Sequence, residues 1–88
     1  MLRVAVMVSG SGTNLQAIID AVKNGGITNA KLEVVISNKK DAFALERAKN
    51  NGIDAVCVSP KDYEGREAFN NALLEKLNEY KPDLIVLA

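Results

Sequence analysis

The apolar run Val4-Ala5-Val6-Met7-Val8 passes without a break into Ser9-Gly10-Ser11-Gly12, and then into Thr13-Asn14-Leu15. Leu15, Ile18, Ile19 and Val22 follow at helical spacing. A strand that runs through a glycine-rich turn into a helix opens a βαβ unit, and so directs the chain toward an α/β architecture. The same arrangement points backbone N–H groups and the positive end of a helix dipole at one spot beyond the strand. An anion placed there, a phosphate above all, is stabilised by both.

Side chains separate the turns of this general shape. A triphosphate loop needs G-x-x-x-x-G-K-[ST], with a lysine on the outer phosphates. Here Gly10 and Gly12 stand too close together and the first lysine is Lys23, well down the helix. The dinucleotide fingerprint G-x-G-x-x-G is met only in its first half, because Leu15 occupies the third position. The acid expected after the second strand is replaced by Ile36-Ser37-Asn38. Only Lys39 and Lys40, a basic pair suited to a 2′-phosphate, keep an NADP reading open. Gly12 allows close approach of an oxyanion, and Thr13 and Asn14 each offer an N–H and a side-chain donor. Neutral donors around a dipole fit a single terminal monophosphate better than a triphosphate with its magnesium ion. Simple capping by Ser11 and Thr13, with Gly10 making the turn, is expected to operate at the same place.

The remaining sequence repeats the alternation. Strands are predicted at Leu2 to Val8, Leu32 to Ser37, Ala55 to Val58 and Leu84 to Leu87. The second helix runs from about Ala42 to Asn50 with Leu45 and Ala48 inward. The third starts near Gly65, carries Phe69, Leu73, Leu77 and Tyr80 on one stripe, and stops before Pro82. The expected fold class is α/β: a Rossmann-like doubly wound parallel sheet of βαβαβαβ order over residues 1–88. Eleven basic and eleven acidic residues cancel, and no basic stripe or aromatic platform points to nucleic acid. No apolar run approaches membrane-spanning length, and the start leads directly into a strand, so the cytoplasm is the expected compartment. Cys57, alone between Val56 and Val58, reads as a buried small hydrophobe.

Ligands of open parallel sheets bind beyond the carboxyl ends of the strands, where strand order reverses. With the first strand central, the loops after strands one and four flank that crevice. Strand four ends at Ala88 with no following loop, so the chain is expected to be the first half of a larger domain. The bare sheet edge would then be covered by the other half or by another copy of the chain. There is no His, and the acids are mostly dispersed along helices, so no acid–base pair can be named. This half is expected to bind rather than to catalyse.

From Val8 to Ile18 the chain resembles the amino-terminal signature of the phosphoribosylglycinamide formyltransferase family. Further similarity follows in order at Ser37-Asn38-Lys39, at Ala42 to Ala48, at Arg66 to Phe69 and at Pro82 to Ala88. The resemblance covers essentially the whole chain. It implies transfer of a formyl group from 10-formyltetrahydrofolate to the amine of glycinamide ribonucleotide, by direct attack of that amine on the formyl carbon. It assigns ribonucleotide and phosphate binding to Gly12, Thr13 and Asn14, and a folate contact to Arg66. A helix-surface pairing of Arg66 with Glu67 or Asn70 is the competing expectation. The family's catalytic Asn, His and Asp lie beyond the fourth strand, and no metal is required. Formyltetrahydrofolate hydrolases share the fold but generally carry a different turn, so the resemblance favours the transferase. A non-catalytic module binding a nucleotide or NADP through the same turn remains the alternative.

Overall fold

The computed structural model describes residues 1–8 and 12–88. Its strands are β1 (Leu2–Val8), β2 (Ala30–Ser37), β3 (Asp54–Cys57) and β4 (Leu84–Leu87). They form one sheet in the order β3-β2-β1-β4, with every pairing parallel. Between them lie α1 (Thr13–Lys23), α2 (Phe43–Asn50), a 3-10 turn (Pro60–Asp62) and α3 (Gly65–Tyr80). The α/β class is as expected from the sequence, and β1 is an inner strand of the sheet, which is the condition on which the crevice argument rested. Strand order reverses between β1 and β4, where Met7 is paired with Leu87.

Two apolar layers enclose the sheet. On one face Val4, Val6, Val8, Leu32 and Val35 pack beneath α1 and α2, which contribute Leu15, Ile19, Ala44, Leu45 and Ala48. On the other, Ala5, Val34 and Ile36 pack against α3 through Leu77, with Phe69, Leu73 and Tyr80 partly buried beside it. Burial of such side chains at about 25 cal/mol per Å² is the main favourable contribution to folding. Sheet pairing shifts by one residue between Val4 and Ala5. Opposite that shift Glu33 is the extra residue of β2, so Leu32 and Val34 face opposite layers although they are two apart.

Element ends follow local chemistry. α3 stops at Tyr80 because Lys81 takes a left-handed conformation, φ 48°, and Pro82 follows. The Lys81 N–H donates to the Leu77 carbonyl at 3.0 Å. Asp83 then ties the chain back to the start of β1, accepting from the Arg3 N–H at 2.9 Å and donating its own N–H to the Arg3 carbonyl at 2.7 Å. The Tyr80 hydroxyl donates to Asp54 Oδ2 at 3.0 Å. Partial burial, and then the carboxylates of Asp54 and Glu79, hold the Tyr80 pKa above the usual phenol value.

Several sequence expectations are corrected in detail. β2 starts at Ala30, two residues before Leu32, and β3 covers Asp54–Cys57 rather than Ala55 to Val58. Ala42 is the N-cap of α2, not its first residue. Cys57 is half-buried instead of enclosed, since it lies on β3, an outer strand of the sheet.

Candidate functional site

Parallel pairing sets the carboxyl ends of the strands in a row. Val8 is paired with Ser37, Ser37 with Cys57, and Met7 with Leu87. The amino-terminal ends of all three helices lie at this same end of the sheet, α1 and α2 over one face and α3 over the other. Ser37 is fully enclosed, and its hydroxyl accepts the Lys39 N–H at 3.1 Å, which turns the chain away from the sheet. A cleft of about 330 Å³ opens here between the strand ends and α3, lined by Met7, Ser37, Asn38, Phe69, Leu73 and Leu87 among others.

The first turn of α1 is the most distinctive part of this end. Gly12 is the N-cap, in the left-handed conformation with φ 82° and ψ 26°. Its carbonyl accepts the Gln16 N–H at 2.8 Å, the first bond of the helix. The N–H groups of Thr13, Asn14 and Leu15 therefore stand outside the helical ladder. The N-cap has no side chain, and no acidic residue occupies the first turn to offset the dipole. The capping expected from Thr13 is not observed, because Thr13 is itself the first helical residue. Ser9, Gly10 and Ser11, which carry the rest of the turn reading, lie outside the described residues. Thr13 and Asn14 are exposed residues at this end of the helix.

Gly12 has a second reason to be glycine. A Cβ built on it would meet the Cβ of Ala44 at 2.7 Å and the Cα of Ala44 at 2.8 Å. The expectation of close approach to an oxyanion is thus joined by close approach of α2. The same hypothetical Cβ would sit 3.3 Å from Cδ of Arg47. Nothing in the turn itself points to Arg47, although its spacing from Phe43 is a readable signal. Residues four apart on a helix face one another, and an arginine there can cover an aromatic ring. Its guanidinium carbon lies 4.8 Å from the Phe43 ring centroid, and its Nη1 donates to Gln16 Oε1 at 3.1 Å.

Arg66 is the second residue of α3 and is exposed. Among the described residues it forms neither an ion pair with Glu67 nor a side-chain hydrogen bond with Asn70. Topology sets it at the ligand end of the sheet but across the sheet from Gly12, Thr13 and Asn14. Lys39 and Lys40 border a separate hollow of about 510 Å³ with Asp41, Ser59, Lys61 and Asp62. There the Lys40 ammonium pairs with Asp62 at 3.5 Å. Among the described residues no group of three or more His, Cys, Asp or Glu is placed to hold a metal ion. No helix among them is long and apolar enough to cross a membrane.

A parallel sheet wound on both faces, with a glycine-capped helix opening at its switch point, defines a Rossmann-like α/β domain. The formyl transferase family model matches residues 2–88. The chain belongs to that family. It is 42% identical over 87 residues to the phosphoribosylglycinamide formyltransferase of Escherichia coli (strain K12), covering 99% of this chain and 41% of that protein. It is 47% identical over 88 residues to the trifunctional purine biosynthetic protein adenosine-3 of Chironomus tentans, covering 98% of this chain and 6% of that protein. Among solved structures, glycinamide ribonucleotide transformylase 1 from Symbiobacterium toebii matches with a TM-score of 0.93 at 49% identity, over 100% of this chain and 41% of that one. The chain thus spans about two fifths of the length of its single-activity relatives.

Proposed function

We propose that this chain is the ribonucleotide-binding portion of a phosphoribosylglycinamide formyltransferase. The complete enzyme would move a formyl group from 10-formyltetrahydrofolate to the amine of glycinamide ribonucleotide, in the cytoplasm. The observation that carries the reading is the open first turn of α1. N–H groups outside the helical ladder, the side chains of exposed Thr13 and Asn14 and the positive end of the dipole converge at a turn that holds no acidic residue, under an N-cap with no side chain. A terminal monophosphate on a ribose suits that set of neutral donors. Membership of the formyl transferase family, with relatives named for this ribonucleotide, supports the same substrate.

Chemistry on the formyl carbon is assigned to groups outside this chain. In the proposed scheme the substrate amine attacks the formyl carbon directly, and the resulting oxyanion and protons are managed by residues of the carboxyl-terminal portion. This chain anchors one end of the ribonucleotide, and that anchoring lowers the barrier by fixing the amine in place. Arg66, on the other side of the switch point, is proposed to meet an anionic part of the folate.

Physical argument weighs against a dinucleotide. Leu15 is fully buried at the fingerprint position where a small residue would let the helix lie close to the strand. Asn38 stands where an acid would bind the ribose diol, and Lys40 is engaged by Asp62.

The test is reconstitution. This chain, joined to or mixed with a carboxyl-terminal formyltransferase segment, gives a completed enzyme in which formyl transfer to glycinamide ribonucleotide is followed directly. Transfer is the expected result. A completed, folded protein that transfers nothing, or that takes up NADP rather than the ribonucleotide in calorimetry, rejects the proposal.

A further inference from the structure

We propose that Arg47 is a positioning residue for the phosphate turn, holding the first turn of α1 in place through Gln16 and keeping a cation beside it. The inference rests on the monophosphate reading of that turn and goes beyond it, because Arg47 belongs to a different helix.

The contacts form a connected path. Arg47 Nη1 donates to Gln16 Oε1 at 3.1 Å. The orientation of that amide is set from its other side, since Gln16 Nε2 donates to Asp20 Oδ1 at 2.9 Å. The Gln16 main-chain N–H in turn donates to the Gly12 carbonyl at 2.8 Å, the bond that starts α1. Arg47 therefore grips the one residue whose backbone defines where the helix, and its free N–H groups, begin.

The arginine is held at both ends. Its guanidinium lies over the Phe43 ring at 4.8 Å, and its own carbonyl accepts from Asn51 Nδ2 at 2.7 Å. Its Cδ, one bond from the guanidinium, stands 3.3 Å from where a Cβ on Gly12 would be, so the side chain passes beside the mouth of α1. Arg47 is half-buried, so the charge is less screened than that of a surface lysine. A planar cation stacked on a ring loses little freedom when it binds, and a lysine has neither the plane nor the fork to replace it.

Phe43 gains an explanation from the same contact. It is 54% exposed at the start of α2, where burial gives little reason for an aromatic residue. As a platform for Arg47 it has one.

The experiment uses the completed enzyme, with inorganic phosphate as a competitive probe against the ribonucleotide. Arg47→Met keeps an apolar stem against Gly12 and removes the charge and the bond to Gln16. The expected result is a rise of about tenfold in the ribonucleotide KM and in the phosphate inhibition constant, with the formyl-donor KM changing less than twofold. The salt dependence of phosphate inhibition should become shallower, and Arg47→Lys should restore part of the loss. An unchanged phosphate inhibition constant, or equal losses toward both substrates, overturns the role of Arg47. If Arg47→Met does not fold, Phe43→Leu removes the platform alone, and phosphate inhibition should then weaken about two- to threefold. No weakening there overturns the inference equally. Failure of the underlying reading looks different, because phosphate would then not compete with the ribonucleotide even in the parent enzyme.

Discussion

Gly12 and Ala44 meet at a point where neither can grow. The Cα of Gly12, at the mouth of α1, lies so close to α2 that an added Cβ would stand 2.7 Å from the Cβ of Ala44. Ala44 is itself fully buried, so it has no room to withdraw. The φ of Gly12, 82°, also disfavours any L side chain. Gly12→Ala is therefore expected to cost roughly 2–5 kcal/mol, combining left-handed strain with overpacking. Gly52 is the control: its φ is 71° but nothing lies within 4 Å of a Cβ built there. Gly52→Ala should cost only about 1–2 kcal/mol. Urea unfolding of the two variants checks the difference, and equal losses would mean that contact with α2 contributes nothing.

Much of this arrangement is legible in the residue order, and the exceptions have physical causes. The class of fold follows from strand-like runs alternating with helical stripes, and Leu15, Ile19, Leu45, Ala48 and Leu77 are buried as their spacing requires. Gly12 is recognisable as special, but its neighbour Ala44 is not, because their sequence separation is bridged only by tertiary packing. The Glu33 irregularity in β2 is hidden for a similar reason. The alternation Lys31-Leu32-Glu33-Val34 reads as an unbroken strand with Leu32 and Val34 on one face, so nothing local reveals the change of phase. Arg47 is a partial case: its i, i+4 relation to Phe43 is local, whereas its bond to Gln16 crosses between helices.

Lys81 offers a stabilising substitution. It is the one described non-glycine residue with positive φ, at 48°, and it is exposed at the end of α3. Its N–H is used in the helix cap, so the backbone shape is needed there but the side chain is not. Lys81→Gly should stabilise by about 0.5–1 kcal/mol, the relief of strain being partly offset by greater freedom of the unfolded chain. A lower urea midpoint than the parent's would contradict this.

Tyr80 sets an alkaline limit on part of the stability. Partial burial and the bond to Asp54 raise its folded pKa, so the folded state holds the phenolic proton more firmly than the unfolded chain does. The contribution is fully present below the ordinary tyrosine pKa and is lost as pH rises through the folded value. Relative to the parent, Tyr80→Phe should be less stable at neutral pH, with the gap narrowing above about pH 10. A gap that stays constant from neutral to strongly alkaline pH would contradict the linkage.

Arg66 is poorly placed for stability. A cation in the first turn of α3 is opposed by the helix dipole, and among the described residues no ion pair offsets it. Arg66→Gln should therefore leave stability unchanged or slightly improved. In the completed enzyme the same variant should raise the KM for the formyl donor about threefold or more, with the ribonucleotide KM unaffected. A donor KM equal to the parent's would remove Arg66 from the folate site.

Asn14 allows binding to be separated from folding. It is the second residue of α1, exposed, and alanine is the better helix former at such a position. Asn14→Ala should thus not weaken the helix, and any lost affinity must come from lost contact with ligand. Removing one side-chain donor to a charged phosphate is worth about 1.5–3 kcal/mol, or roughly tenfold or more in affinity. Calorimetry of glycinamide ribonucleotide with the completed enzyme should show that loss, while urea unfolding without ligand shows none. Inorganic phosphate separates the two ends of the ribonucleotide: if Asn14 contacts the phosphate, its inhibition weakens in parallel, and if Asn14 contacts the ribose, it does not. Undiminished affinity for the whole ribonucleotide would exclude both contacts.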